Sequence, residues 1–155
     1  MTLFVSGCTN KCKNCFQPET WDFKYGSLFD IDVETRIINM LKPEYIDGLT
    51  VLGGEPFEPS NQQALYPFLK KVKETHPEKS LWIFTGFTYD ELLMEGSHPH
   101  CEVTEKILDL TDVLVDGRYE DSLRDISLRF RGSSNQRLID MNKTREKNEI
   151  VIWSD

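Results

Sequence analysis

Leu49-Thr50-Val51-Leu52-Gly53-Gly54-Glu55-Pro56 is a short apolar run, of strand length, that breaks off in two glycines, an acid and a proline. In α/β proteins ligands bind at the carboxyl ends of the strands. Two glycines there let the backbone approach a small ligand closely, and Glu55 offers a carboxylate to a cationic group. Taken alone, the same four residues also read as a simple turn.

Strands and helices alternate outward from this point. Thr2 to Ser6 reads as a buried strand. Asp32 is placed to cap a helix over about residues 33–42, whose Val33, Ile37, Ile38 and Leu41 share one face and which Pro43 ends. Downstream, Ser60 or Asn61 is expected to cap a helix reaching about Thr75, with Leu65, Phe68, Leu69 and Val72 at helical spacing and Pro67 kinking or starting it. Leu81 to Thr85 follows as a strand, and Thr88-Tyr89-Asp90-Glu91 has the form of a capping box. A helix near 104–110 leads to a strand over 112–115. Beyond Asp116-Gly117 the pattern fades into loop, with one or two short strands expected, such as Glu149–Trp153.

Alternation of this kind predicts parallel β/α units: an α/β fold with a curved, mostly parallel sheet and helices outside. A closed eight-stranded barrel takes about 250 residues, so 155 residues predict a partial (β/α) barrel with an open side. Residues 1–155 read as one domain, with 118–155 as a basic extension of it.

Cys8, Cys12 and Cys15 stand in Gly7-Cys8-Thr9-Asn10-Lys11-Cys12-Lys13-Asn14-Cys15, at C-x3-C-x2-C spacing. Three thiolates on a four-iron cluster leave one iron free to bind a substrate. Clustered cysteines in a chain without a disulfide framework fit metal binding in a reducing compartment. A zinc site completed from Ser97-His98-Pro99-His100-Cys101 is the competing reading of the same cysteines.

The net charge of −8 argues against nucleic acid as a partner. Charge is unevenly spread: residues 1–117 hold 10 Lys and Arg against 19 Asp and Glu, and residues 118–155 hold 8 against 7. Arg118, Arg124, Arg129, Arg131 and Arg137 form either a solvated face or a docking surface. Lys11 and Lys13 are either plain surface charges or an attractor for an acidic electron donor. No run of about eighteen apolar residues is present to span a bilayer and no signal peptide opens the chain, so a cytoplasmic protein is expected.

C-x3-C-x2-C followed by a strand ending in Gly-Gly-Glu-Pro resembles the radical S-adenosylmethionine (SAM) superfamily. Within it, the chain is similar to the glycyl-radical-enzyme activases that serve anaerobic ribonucleotide reductase. Leu3-Phe4-Val5-Ser6-Gly7-Cys8, Trp82-Ile83-Phe84-Thr85-Gly86, Val113-Leu114-Val115-Asp116-Gly117 and above all Arg131-Gly132-Ser133-Ser134-Asn135-Gln136-Arg137 carry the likeness. The resemblance implies a [4Fe–4S] cluster on Cys8, Cys12 and Cys15, with SAM chelated at the open iron. It further implies reductive cleavage of SAM to methionine and a 5′-deoxyadenosyl radical, which takes hydrogen from the Cα of a glycine.

On this likeness Gly53, Gly54 and Glu55 receive the methionine end, with Glu55 accepting its ammonium group. Asn14, Cys15 and Phe16 border the adenine, and Thr85 offers a polar contact. The implied partners are the large subunit of the anaerobic ribonucleoside-triphosphate reductase and an electron donor such as a flavodoxin-type protein, with no nucleic acid and no membrane. A radical SAM enzyme acting on a small molecule, such as a deazapurine precursor, shares the first two motifs but not the last. Two departures stand out: the superfamily's aromatic residue before the third cysteine is Asn14 here, and the first strand begins almost at Met1, where relatives carry a preceding segment that is expected to be missing.

Overall fold

The computed structural model describes residues 1–154. Three β/α steps and a fourth parallel strand build the molecule: β1 (Thr2–Val5), α1 (Ile31–Met40), β2 (Gly48–Gly53), α2 (Pro59–Thr75), β3 (Ser80–Phe84), then α3 (Tyr89–Leu93) and α4 (Thr104–Leu110) before β4 (Val113–Asp116). The chain returns through β5 (Arg137–Asp140) and α5 (Met141–Lys147). The strands stand in chain order β1-β2-β3-β4-β5, the first four parallel and β5 antiparallel to β4. The sheet is open and five-stranded, mostly parallel, as the alternation predicts.

Strand periodicity divides the side chains. Leu49, Val51, Leu81, Ile83, Leu114 and Ile139 join Ile37, Leu41, Phe68, Leu69, Val72 and Ile107 of the helices in one buried core. The alternate residues Phe4, Leu52, Trp82 and Phe84 face the other way, where Phe130 and Trp153 lie edge-on to Trp82 at centroid distances of 5.3 and 5.1 Å.

Three local expectations need correction. Asp30, not Asp32, caps α1, its carboxylate accepting from the N–H groups of both Asp32 and Val33 at 3.1 and 3.0 Å. Neither Ser60 nor Asn61 caps α2: the helix opens with Pro59 in its first turn, where its missing N–H costs nothing, and Pro67 sits inside it. Asn61 instead donates to the carbonyls of Ser6 and Glu55, at 2.9 and 2.8 Å. Thirdly, the short strand past Gly117 is β5 at Arg137–Asp140, Ile152 only bridges to Ile139, and α5 is a helix where loop was expected. α5 has little apolar periodicity and depends on its ends, capped by Asp140 and stopped by left-handed Asn148 at φ 55°. The capping box at α3 forms with both of its hydrogen bonds.

Candidate functional site

Parallel strands deliver their carboxyl ends to one rim, and three loops leave from it. After β1, the loop of residues 7–17 winds through left-handed turns at Gly7 (φ 93°), Lys11 (φ 46°) and Asn14 (φ 56°). Its start is pinned by Gly7 N–H donating to Thr20 O at 2.7 Å and by Glu55 N–H donating to Gly7 O at 2.8 Å. After β2, Gly53 takes φ 116°, and a Cβ on Gly54 would lie 2.6 Å from Gly7 O and 2.9 Å from Thr20 O. The close approach that Gly54 permits is therefore to the cysteine loop itself.

These loops enclose a cavity of about 790 Å³. Cys8, Cys12, Asn14, Cys15, Phe16, Gly53, Gly54, Glu55 and Thr85 all line it, so the structure gathers the candidate cluster and cofactor residues into one place. Its far wall comes from the segment after β4: Gly117, Tyr119, Arg124, Ile126, Leu128, Phe130 and Gln136.

All three loop cysteines are free thiols. Burial raises the pKa of Cys8, opposed by the backbone N–H groups of Asn10 and Lys11, and raises that of Cys12, opposed by Tyr119 N–H and the Arg118 charge. Metal binding has to displace those protons. Free thiols on one loop facing one cavity suit a thiolate-held cluster, whose corners stand farther apart than the ligands of a single ion. Among the described residues no three His, Cys, Asp or Glu side chains converge tightly enough for a lone metal ion. His98, His100 and Cys101 do not complete such a set: His98 Nε2 lies 2.8 Å from Glu58 Oε2, His100 Nδ1 lies 2.8 Å from Leu92 O, and Cys101 Sγ lies beside Thr104 Oγ1.

Glu55 stands at the centre of a hydrogen-bond network. The side chain is 1% exposed and accepts from Phe57 N–H (2.9 Å), Thr85 Oγ1 (2.7 Å), Gly86 N–H (2.7 Å) and Asn10 Nδ2 (2.9 Å). Burial pushes its pKa up to about 7, against the donors from Phe57, Thr85 and Gly86 and with a smaller push from the Glu58 charge. Four donors thus converge on the carboxylate that was expected to accept from an ammonium group, as many as an ionised carboxylate has acceptor sites. Thr85 is likewise engaged, since its hydroxyl also accepts from Phe87 N–H at 3.1 Å.

Contacts that sequence reasoning did not foresee tie the cysteine loop down. Thr9 N–H donates to buried Glu58 at 2.7 Å. Asn10 accepts from Arg118 Nε at 3.1 Å. Asn14, in place of an aromatic residue, donates to Asp121 at 2.9 Å, and Asp121 also accepts from Tyr119 OH at 3.1 Å. Each partner is distant in sequence, and only the presence of polar residues inside a cysteine motif hinted at them.

The segment 131–137 acts as a brace. Gln136 Nε2 donates to Gly117 O at 3.0 Å, Asn135 Nδ2 to Arg118 O at 2.8 Å, and Arg137 Nε to Asp116 at 2.9 Å. Asp116 is fully buried and also accepts from Tyr89 N–H at 2.7 Å. Of the five clustered arginines, Arg118, Arg131 and Arg137 thus serve internal contacts, with Arg131 donating to Gln136 O at 2.6 Å.

Residues 1–139 match the family model of a 4Fe-4S single cluster domain. Curated relatives include the anaerobic ribonucleoside-triphosphate reductase-activating proteins of Pasteurella multocida strain Pm70 (43% identical over 137 residues, covering 87% of this chain and 83% of the relative) and of Escherichia coli strain K12 (36% over 137 residues, 87% and 84%). The protein of the same name from Enterobacteria phage T4 is 35% identical over 138 residues, 89% of this chain and 81% of the relative. No solved structure matches the chain. With thiols, glycine turn and brace assembled on one rim, and with this likeness over most of its length, the chain belongs to the anaerobic ribonucleoside-triphosphate reductase-activating protein family and carries its 4Fe-4S single cluster domain.

Proposed function

We propose that this protein is a radical SAM activase of the anaerobic ribonucleoside-triphosphate reductase, built on a partial (β/α) barrel of the radical SAM type. The observation that carries the reading is the joining, in one open cavity, of three free cysteine thiols, the Gly53-Gly54 turn and the segment braced by residues 131–137, in a chain 43% identical to a protein named for activating that reductase. Cys8, Cys12 and Cys15 would hold a [4Fe–4S] cluster. Bound there, the cluster and SAM supply one-electron chemistry that removes a hydrogen atom from a glycine of the reductase large subunit.

The chain's own residues bind, orient and shield. Gly53 and Gly54 present backbone to the methionine end of SAM, above the Glu55 network that stiffens it. Asn14, Cys15 and Phe16 border the adenine, and Thr85 holds the floor. Leu52, Phe84, Ile126 and Phe130 give the cavity apolar walls that keep water from a reactive species. The open side leaves room for a protein loop as substrate.

Lys11 and Lys13 are exposed beside the thiols in a chain of net charge −8, which favours an acidic one-electron donor such as a flavodoxin-type protein. Among the described residues no helix is long and apolar enough to cross a membrane, consistent with an activase working in the cytoplasm.

Anaerobic incubation with reductant, SAM and the reductase large subunit tests the reading. An EPR doublet from a glycyl radical, with 5′-deoxyadenosine formed alongside, is the expected result. Turnover on a small molecule without any protein radical would refute it.

A further inference from the structure

Glu55 and Asn10 are polar side chains of the cavity that are engaged with one another and with other parts of the protein. Four donors reach the Glu55 carboxylate from three places: Phe57 N–H after β2, Thr85 Oγ1 and Gly86 N–H after β3, and Asn10 Nδ2 in the cysteine loop. An ionised carboxylate offers about four acceptor sites, so none is left over. On its other side Asn10 accepts from Arg118 Nε, just past β4. Arg118 is itself gripped, 3.2 Å from Glu91 Oε1 and 5.2 Å from the centroid of the Phe87 ring.

We infer that Glu55 is a positioning residue. Together with Asn10 and Arg118 it clasps the segment between Cys8 and Cys12 to the ends of β2, β3 and β4, and so fixes where two of the three thiols stand. It does not keep an oxygen free for the cofactor's ammonium group. The inference rests on the reading of those thiols as cluster ligands, and it assigns Asn10 and Arg118 a part in that site.

Residue chemistry makes the clasp specific. Glutamine at position 55 would turn amide hydrogens toward N–H donors. Asn10 must show a donor to Glu55 and an acceptor to Arg118 at once, whereas Asp at that place would set carboxylate against carboxylate. Gly86 is required as well, because a Cβ there would fall inside contact distance of Asn10 Nδ2.

Amide hydrogen exchange over Thr9–Lys13 tests the clasp. It is measured at pH 8, above the value of about 7 to which burial pushes Glu55, so that the carboxylate is ionised. Parent, Glu55→Gln, Asn10→Ala, Asn10→Asp and the Glu55→Gln/Asn10→Ala pair are compared, both iron-free and after anaerobic reconstitution. Each single change is expected to speed exchange in this segment about ten-fold, the scale of one lost hydrogen bond to a charged group. The pair should be no faster than the worse single change, because both remove the same contact. Without SAM, iron release to a chelator should accelerate in the same order, and the EPR line shape of the reduced cluster should change.

Asn10 is only partly buried, so Asn10→Ala keeps the test alive should Glu55→Gln fail to fold. Unchanged exchange and iron release in Asn10→Ala overturns the clasp. So does a Glu55→Gln protein that weakens SAM binding while exchange and iron release stay at parent values. Failure of the cluster reading itself looks different: the parent then takes up no iron, while faster exchange in the iron-free variants still supports the clasp.

Discussion

The same strands show opposite characters on their two faces. Leu49, Val51, Leu81, Ile83 and Leu114 are 1% exposed or less under the helices, whereas on the reverse face Phe4 is 49% exposed and Leu52 and Phe84 open onto the cavity. Both faces are apolar; only one is closed. Stability is thereby gathered on the helix side, and the other side, roofed by the segment after β4, is left for a ligand whose own surface completes the burial.

The sharpest way to set the faces apart is at the cysteines. Changing Cys8, Cys12 or Cys15 to Ala should abolish iron binding after anaerobic reconstitution, assayed as iron and sulfide per chain, while Cys101→Ala retains the parent content. Iron lost from the Cys101 variant would shift the site away from the open rim.

Gly54→Val comes next in size. Because its side chain would strike Gly7 O and Thr20 O, the change should displace the loop that begins at Cys8 and lower iron content and SAM affinity together. Iron retained in full with SAM binding alone impaired would mean that the glycine serves the ligand rather than the loop.

Neighbouring residues of β3 give a direct comparison of the faces. Ile83→Ala should cost about 2–5 kcal/mol in anaerobic urea unfolding, as for other large-to-small changes in closed cores. Phe84→Ala should cost about 1–2 kcal/mol, because less surface is buried there, but should weaken SAM binding, which Ile83→Ala at permissive temperature should not. Equal losses of stability would erase the distinction.

The smallest effect is electrostatic. Lys11→Glu/Lys13→Glu should slow reduction by an acidic flavoprotein about ten-fold at low ionic strength, the lower end of steering effects. The difference should disappear in high salt, with small-molecule reductants unaffected. Stopped-flow traces with both reductants decide it.

The β/α order, the strand-end glycines and the cysteine loop could be read from sequence because each is a local signal: a period, a breaker, a spacing. The capping box at Thr88–Glu91 is local too, and it forms. The contacts around the thiols could not be read. Glu58 carries no signal in the sequence yet is buried against Thr9, and Asn14, expected beside the adenine, also reaches Asp121. Such pairings depend on which strand ends become neighbours, and that is a property of the folded sheet. The position of β5 and the presence of α5 could not be read for a related reason, since a four-residue strand and a helix with few apolar positions leave little periodicity to find.

Strand order equal to chain order has a consequence for how the protein is made. As the polypeptide leaves the ribosome, each new strand can settle beside the one before it, and the sheet can grow without waiting for later sequence. The thiol loop cannot be finished on that schedule. Its outer ties run from Asn10 to Arg118 and from Asn14 to Asp121, separations of 108 and 107 residues. Three cysteines therefore wait, loosely held, until those later residues have been made, accessible to an iron donor and equally to any oxidant that arrives first.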